Sequence, residues 1–199
     1  MKLERHPRKH WCLATTLLAG LILAPALQRL SVASNPREAL NPAAAPGTEM
    51  LGRLEGRWRV DMKILDQQGN WVPQDQQREW LWYYILDGHA IQDDFVVVFK
   101  DESGNSLRRV VGTNIRIYNA EEKRWHMAWI SSKARRLAAF TAVNEGDRVI
   151  MRGVNDQGRD VRNTFFDISR DSFDWEQAWT FDDGASWLPV ARIHATRLE

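Results

Sequence analysis

An all-β domain, an antiparallel up-and-down barrel of about ten strands, is the fold class that this sequence predicts. Three observations carry the prediction. Apolar and polar residues alternate with a period of two from Gly56 onward. Short Asp-Gly and Gly-Asn clusters punctuate that pattern at regular intervals, and they supply the positive φ that tight hairpins need. No stretch after residue 50 keeps a helical period, which disfavours a βαβ arrangement.

The segments follow in order. Residues 57–65 end at a turn holding Gly69-Asn70, and 77–85 end at Leu86-Asp87-Gly88. Residues 90–100 run into Gly104-Asn105, 107–118 into the polar stretch from Asn119 to Lys123, and 124–131 into the basic turn around Lys133, Arg135 and Arg136. Residues 137–143 precede Glu145-Gly146-Asp147, and 148–154 precede Asn155 and Gly158. The segments 160–168, 173–181 and 187–196 complete the set, the last two separated by Asp183-Gly184. Nearly every segment is joined to the next by a hairpin-length loop, so a meander is implied. An open meander of ten strands leaves two long edges, and closure removes them.

The N-terminal part reads differently. A basic start with Lys2, Arg5, Arg8 and Lys9 leads into an apolar run over 11–27, too short and too broken to be a convincing membrane-spanning helix. With the small-residue triplet Ser31-Val32-Ala33, residues 1–33 are expected to be a secretory signal cleaved after Ala33. The competing reading is an uncleaved N-terminal anchor. Either places the working domain outside the cytoplasm, periplasmic or secreted. Residues 34–49, with Pro36, Pro42 and Pro46 around an alanine run, are expected to form a flexible linker, leaving 50–199 as the barrel domain.

Cys12, the chain's single cysteine, falls inside the leader, so the mature domain has neither disulfides nor thiolate chemistry. Its roughly 150 residues suffice for a core without staples. Removing the leader leaves 22 Lys and Arg against 25 Asp and Glu, a balance that argues against electrostatic binding to nucleic acid. No membrane partner is expected after cleavage.

Aromatic residues mark the candidate site. Trp80, Trp82 and Tyr84 share one face of their strand, Trp125, Met127 and Trp129 one face of theirs, and Phe173, Trp175, Trp179 and Phe181 another. Indoles fill cores, but nine in one mature domain exceed what packing asks for. A lumen lined by Trp80, Trp82, Trp129, Trp175 and Trp179, with Arg116 as an anchor for an anionic group, would hold a small apolar or aromatic molecule.

Gly56-Arg57-Trp58 resembles the Gly-x-Trp opening of the lipocalin/calycin superfamily. There the Trp closes one barrel end beneath an Arg from the last strand region, a role open here to Arg192 or Arg197. More of the chain resembles a group of uncharacterised bacterial lipocalin-like domains of unknown function. The phrases that carry this are Leu54-Glu-Gly56-Arg-Trp58, Leu86-Asp-Gly88 through Asp93, Arg116-Ile-Tyr118-Asn119, and Ser172-Phe173-Asp-Trp175 with Asp183-Gly184-Ala-Ser-Trp187. The resemblance implies the barrel and no catalytic residues. Ten-stranded relatives that hold haem through a C-terminal His would make His194 the iron ligand, although the glycine-rich continuation after Gly-x-Trp is missing.

An enzyme is the alternative of a different class: an isomerase, cyclase or hydrolase acting on a lipid-like substrate. Asp93 or Asp94 would then be the acid or base, with Arg116 steadying negative charge. Neighbouring carboxylates on a strand face opposite sides, so the two aspartates cannot form a proton-sharing dyad. His-Glu-x-x-His, Gly-x-Ser-x-Gly and Gly-Lys-Ser/Thr signatures are absent, and no cofactor or metal is expected. A barrel plugged by side chains, serving as a partner-binding scaffold, is the third reading.

Overall fold

The computed structural model describes residues 38–155 and 157–198. The expected leader, its cleavage site and residues 34–37 of the linker lie outside the described residues.

Alternating side chains build one closed sheet, because each strand then has an apolar face to bury and a polar face to leave in water. The described strands are β1 (Gly56–Leu65), β2 (Trp71–Pro73), β3 (Arg78–Ile85), β4 (Ala90–Lys100), β5 (Ser106–Asn119), β6 (Arg124–Ser131), β7 (Leu137–Glu145), β8 (Arg148–Val154), β9 (Asp160–Phe166), β10 (Ser172–Trp179) and β11 (Leu188–Arg197). Consecutive strands pair antiparallel from β3 to β11, and β11 returns to β1 in the register Trp58↔Arg197 through Ile64↔Ala191. On its other side β1 pairs first with β3 and then, past Val60, with β2. β2 and β3 therefore form one interrupted stave, and among the described residues the fold is a closed, ten-stave, up-and-down barrel.

Two short elements have no counterpart in the sequence reading. β2 spans three residues ending in Pro73, too few to display alternation, and a proline cannot donate to a ladder. Gln74 N–H donates instead to Met62 O of β1 at 2.8 Å as the chain leaves β2. The helix α1 (Glu49–Gly52) is a single turn without a side-chain cap. It sits at the end of the barrel where β1 begins, and its fully buried Leu51, with Leu54, packs into the core cluster beside Trp58.

Arg197 seals that end. Its guanidinium carbon lies 4.0 Å from the Trp58 ring centroid. Its nitrogens donate to the carbonyls of Glu55 at 2.5 Å, Arg53 at 3.1 Å and Arg170 at 2.5 Å. Of the two arginines considered from the sequence, Arg197 makes the cap; Arg192 lies outside, against Glu176 and the ring of Trp71. The Trp58 indole is fully buried, donates to Leu54 O at 2.7 Å and meets Phe173 edge-on at 4.8 Å. A closed barrel with this Gly-x-Trp and Arg seal fits a calycin-like domain.

The proline-rich stretch expected as a flexible linker is, from Glu38 on, laid against the same end. Glu38 bridges to Tyr84, and Asn41 Nδ2 donates to Asp87 O at 2.9 Å. Gly88 N–H donates to Glu38 Oε2 at 3.3 Å. Polar side chains docking on a turn leave no hydrophobic period, so nothing in the pattern marks this contact. Gly88 is required here twice over: its φ is +77°, and a Cβ would collide with Ala39 O and Asn41 N.

On the outer face of β3, Glu79 is held in a bidentate pair by Arg57, at 3.0 and 2.8 Å, and also by Arg108, and its side chain is only 4% exposed. The hydrogen bond from Arg57, with the charge of Arg108, holds its carboxyl below the ordinary glutamate value against the opposing effect of burial. Because the folded form titrates lower than the unfolded chain, Glu79 stabilises the fold above the ordinary glutamate range and loses that contribution as pH falls through its depressed value. Glu79→Gln is thus expected to lower the urea midpoint at pH 7, with the gap from wild type narrowing progressively as the pH is taken below the ordinary glutamate range.

Gly112 on β5 faces the Trp129 ring so closely that an added Cβ would fall inside it. Gly112→Val is expected to cost about 1–3 kcal/mol by overpacking, measured as a urea-midpoint shift at unchanged slope.

Candidate functional site

Inward residues of the strands follow the alternation expected from the sequence. Across the sheet, Trp82, Asp93, Asn114, Trp129 and Ala138 stand side by side in one register row. Tyr84, Ile91, Arg116, Met127 and Phe140 form the next, nearer the sealed end. Where these rows meet, the interior changes from filled to open.

Below lies a packed aromatic floor. Phe165 and Phe173 are fully buried and surround Trp80 and Trp82 at centroid separations of 5.5–6.5 Å, mostly tilted or edge-on. Above is a cavity of about 300 Å³. Its walls are Trp80, Phe95, Trp129, Phe140, Trp175 and Trp179, with Met62, Met151, Ala191 and Ile193 between them. Asn155 and Gln157, in the loop joining β8 to β9, stand at the end opposite the seal. At that mouth Arg159 stacks on Trp179 at 4.6 Å and on Phe181 at 4.9 Å.

A buried polar group is set into this apolar wall. Asp93 is fully buried and Arg116 is 1% exposed, and Arg116 Nη1 meets Asp93 Oδ2 in an ion pair. Trp80 Nε1 donates to Asp93 Oδ1 at 2.5 Å, and Asn114 Nδ2 reaches the same oxygen at 3.4 Å. The Arg116 guanidinium lies 4.4 Å above the Trp82 ring, a cation–π contact strengthened by the burial of both side chains. Burial pushes the Arg116 guanidinium well down from its ordinary value, and the carboxylate against it favours the charged form. Higher on the wall, Gln177 Nε2 donates to Asn163 Oδ1 at 3.1 Å.

Trp80, Arg116, Trp129, Trp175 and Trp179, all named from the sequence, therefore converge on one cavity. Trp82 does not reach the wall; it is the platform beneath Arg116. Asp93 points inward, whereas Asp94 faces outward and accepts from Tyr83 Oη at 2.9 Å, so the barrel interior gains no acid or base from Asp94. His194 is also outside, 55% exposed, with Nδ1 2.8 Å from Asp174 Oδ1, and it offers no ligand to a haem held in the lumen. Phe181, placed on the inner row by its parity, lies beyond the end of β10 and is 69% exposed.

Asn114, Asn163, Gln177 and the apolar Phe95, Phe140 and Met151 were not singled out from the sequence. Asn114 stands two residues before Arg116 on the same strand face, which is the one signal that could have flagged it. The others required the register of neighbouring strands.

Arg116→Met leaves the Asp93 carboxylate buried without its counter-charge and is expected to cost about 3–5 kcal/mol in urea denaturation. Replacing both, as Asp93→Leu with Arg116→Met, is expected to recover most of that loss, because no unpaired charge then remains.

No protein-family model and no curated protein matches the chain. Among solved structures it is similar to a protein of unknown function in the DUF3598 family from Nostoc punctiforme PCC 73102, at 8% identity over 75% of this chain and 98% of that one. The TM-score is 0.23, too low for anything to pass from one protein to the other.

Proposed function

We propose that this barrel is an exported carrier that holds one small apolar or aromatic molecule in its lumen. The observation that carries this reading is the cavity itself. Cores normally close around their side chains, and unfilled space costs stability in proportion to its volume. About 300 Å³ walled by four indoles is at the lower end of the range for small-molecule pockets. Large apolar walls with a few convergent polar groups are the usual make-up of such sites. The basic start, the apolar run and Ser31-Val32-Ala33 support export.

Native mass spectrometry of the protein taken from its own host is expected to show a bound small molecule, and adding that molecule back to stripped protein to quench tryptophan fluorescence. Ala191 lines the cavity at 6% exposure. Ala191→Phe is therefore expected to weaken binding at least tenfold while leaving the far-ultraviolet spectrum unchanged. An empty chain from the host, with no quenching across a panel of lipids and aromatics, would overturn the carrier reading.

A further inference from the structure

The chemistry of the wall restricts what the cavity can accept. Among the described lining residues Arg116 is the one charged side chain, and Asp93 lies directly against it, so the interior offers no net charge to a ligand. Several polar atoms here are nevertheless buried without a protein partner: Asn114 Oδ1, an acceptor, and the donors Arg116 Nε, Trp82 Nε1 and, on the cavity wall, Trp179 Nε1. The orientation of the Asn114 amide follows from its neighbour. Nδ2 faces the Asp93 carboxylate, and the reversed amide would set oxygen against oxygen, so Oδ1 is the atom left over. The second polar pair in the wall, Asn163 with Gln177, is neutral as well.

Resting on the carrier reading above, we propose that the cavity selects uncharged ligands: a compact apolar or aromatic body bearing one neutral group that both accepts and donates a hydrogen bond, such as an alcohol, a phenol or a primary amide. A carboxylate fits poorly for two reasons. It has no proton for Asn114 Oδ1, and the guanidinium that would offset its desolvation is already engaged by Asp93. An ammonium group could donate to Asn114, but it would be brought against the Arg116 cation. A neutral hydroxyl meets neither obstacle, since it can donate to Asn114 Oδ1 and accept from an unpartnered donor of the wall.

The test compares three probes of matched shape by calorimetry at pH 7: 2-naphthylmethanol, 2-naphthoate and 2-naphthylmethylammonium. The alcohol is expected to bind the unmodified protein at least tenfold more tightly than either ion. Asp93→Asn frees the charge of Arg116 and is expected to raise affinity for naphthoate at least tenfold, with the alcohol changed much less. An ion binding as tightly as the alcohol overturns the inference while the carrier reading stands, and so does an Asp93→Asn protein that gains nothing for naphthoate. Should that variant fail to fold, the three-probe comparison on the unmodified protein decides alone. Failure of all three probes to bind overturns the inference, and the host-derived material then shows whether the carrier reading falls with it.

Discussion

Seven residue pairs between β1 and β11, from Trp58↔Arg197 to Ile64↔Ala191, turn a twisted ribbon of strands into an enclosed volume. Every other feature of the molecule depends on that closure. It satisfies the backbone groups of two edges that would otherwise invite another chain, and it defines an inside. It also brings Arg197 over Trp58, so the residue that completes the last strand caps the first. A sheet with the same sequence left open would expose its indole rows to water.

Within the enclosure the chain spends its apolar surface unevenly. The end near α1 is filled by Leu51, Leu54, Trp58 and Phe173, all fully buried. Toward the other end the rings stand back from one another and leave the cavity. The Asp93–Arg116 pair sits at this boundary, where its members are desolvated yet mutually compensated, and where Trp80, Trp82 and Asn114 each add a contact. Ion pairs in such settings rarely stabilise more than a well-packed apolar pair would. Their value is that they set a fixed, compensated polar point into a wall that is mostly apolar.

The barrel was legible because its information is local. Strands β4, β6 and β8 begin and end at the residues that alternation and turn chemistry indicate, and the other long strands differ at their ends by at most two residues. Asp87-Gly88 and Gly184 adopt the positive φ that their residue types favour. The misses were local too, but below the length at which a period can be seen: the three residues of β2, the single turn of α1, and the docked stretch from Glu38 to Thr48. Most of the aromatic site residues could be named because parity on a strand decides which face they share. Parity could not show that Trp82 would be covered by Arg116, nor that Phe181 would fall past the end of its strand.

Strand order, the hairpin connections and which aromatics of a strand share a face are written in the chain, since these follow from a two-residue period and from glycine and aspartate at turns. Tertiary structure alone decided that Asp93, Asn114 and Arg116 meet under Trp80 and Trp129, and that Asp94 and His194 face away. Register between strands sets those encounters. Register is a property of pairs of strands packed around a common interior, and it is written in no single segment.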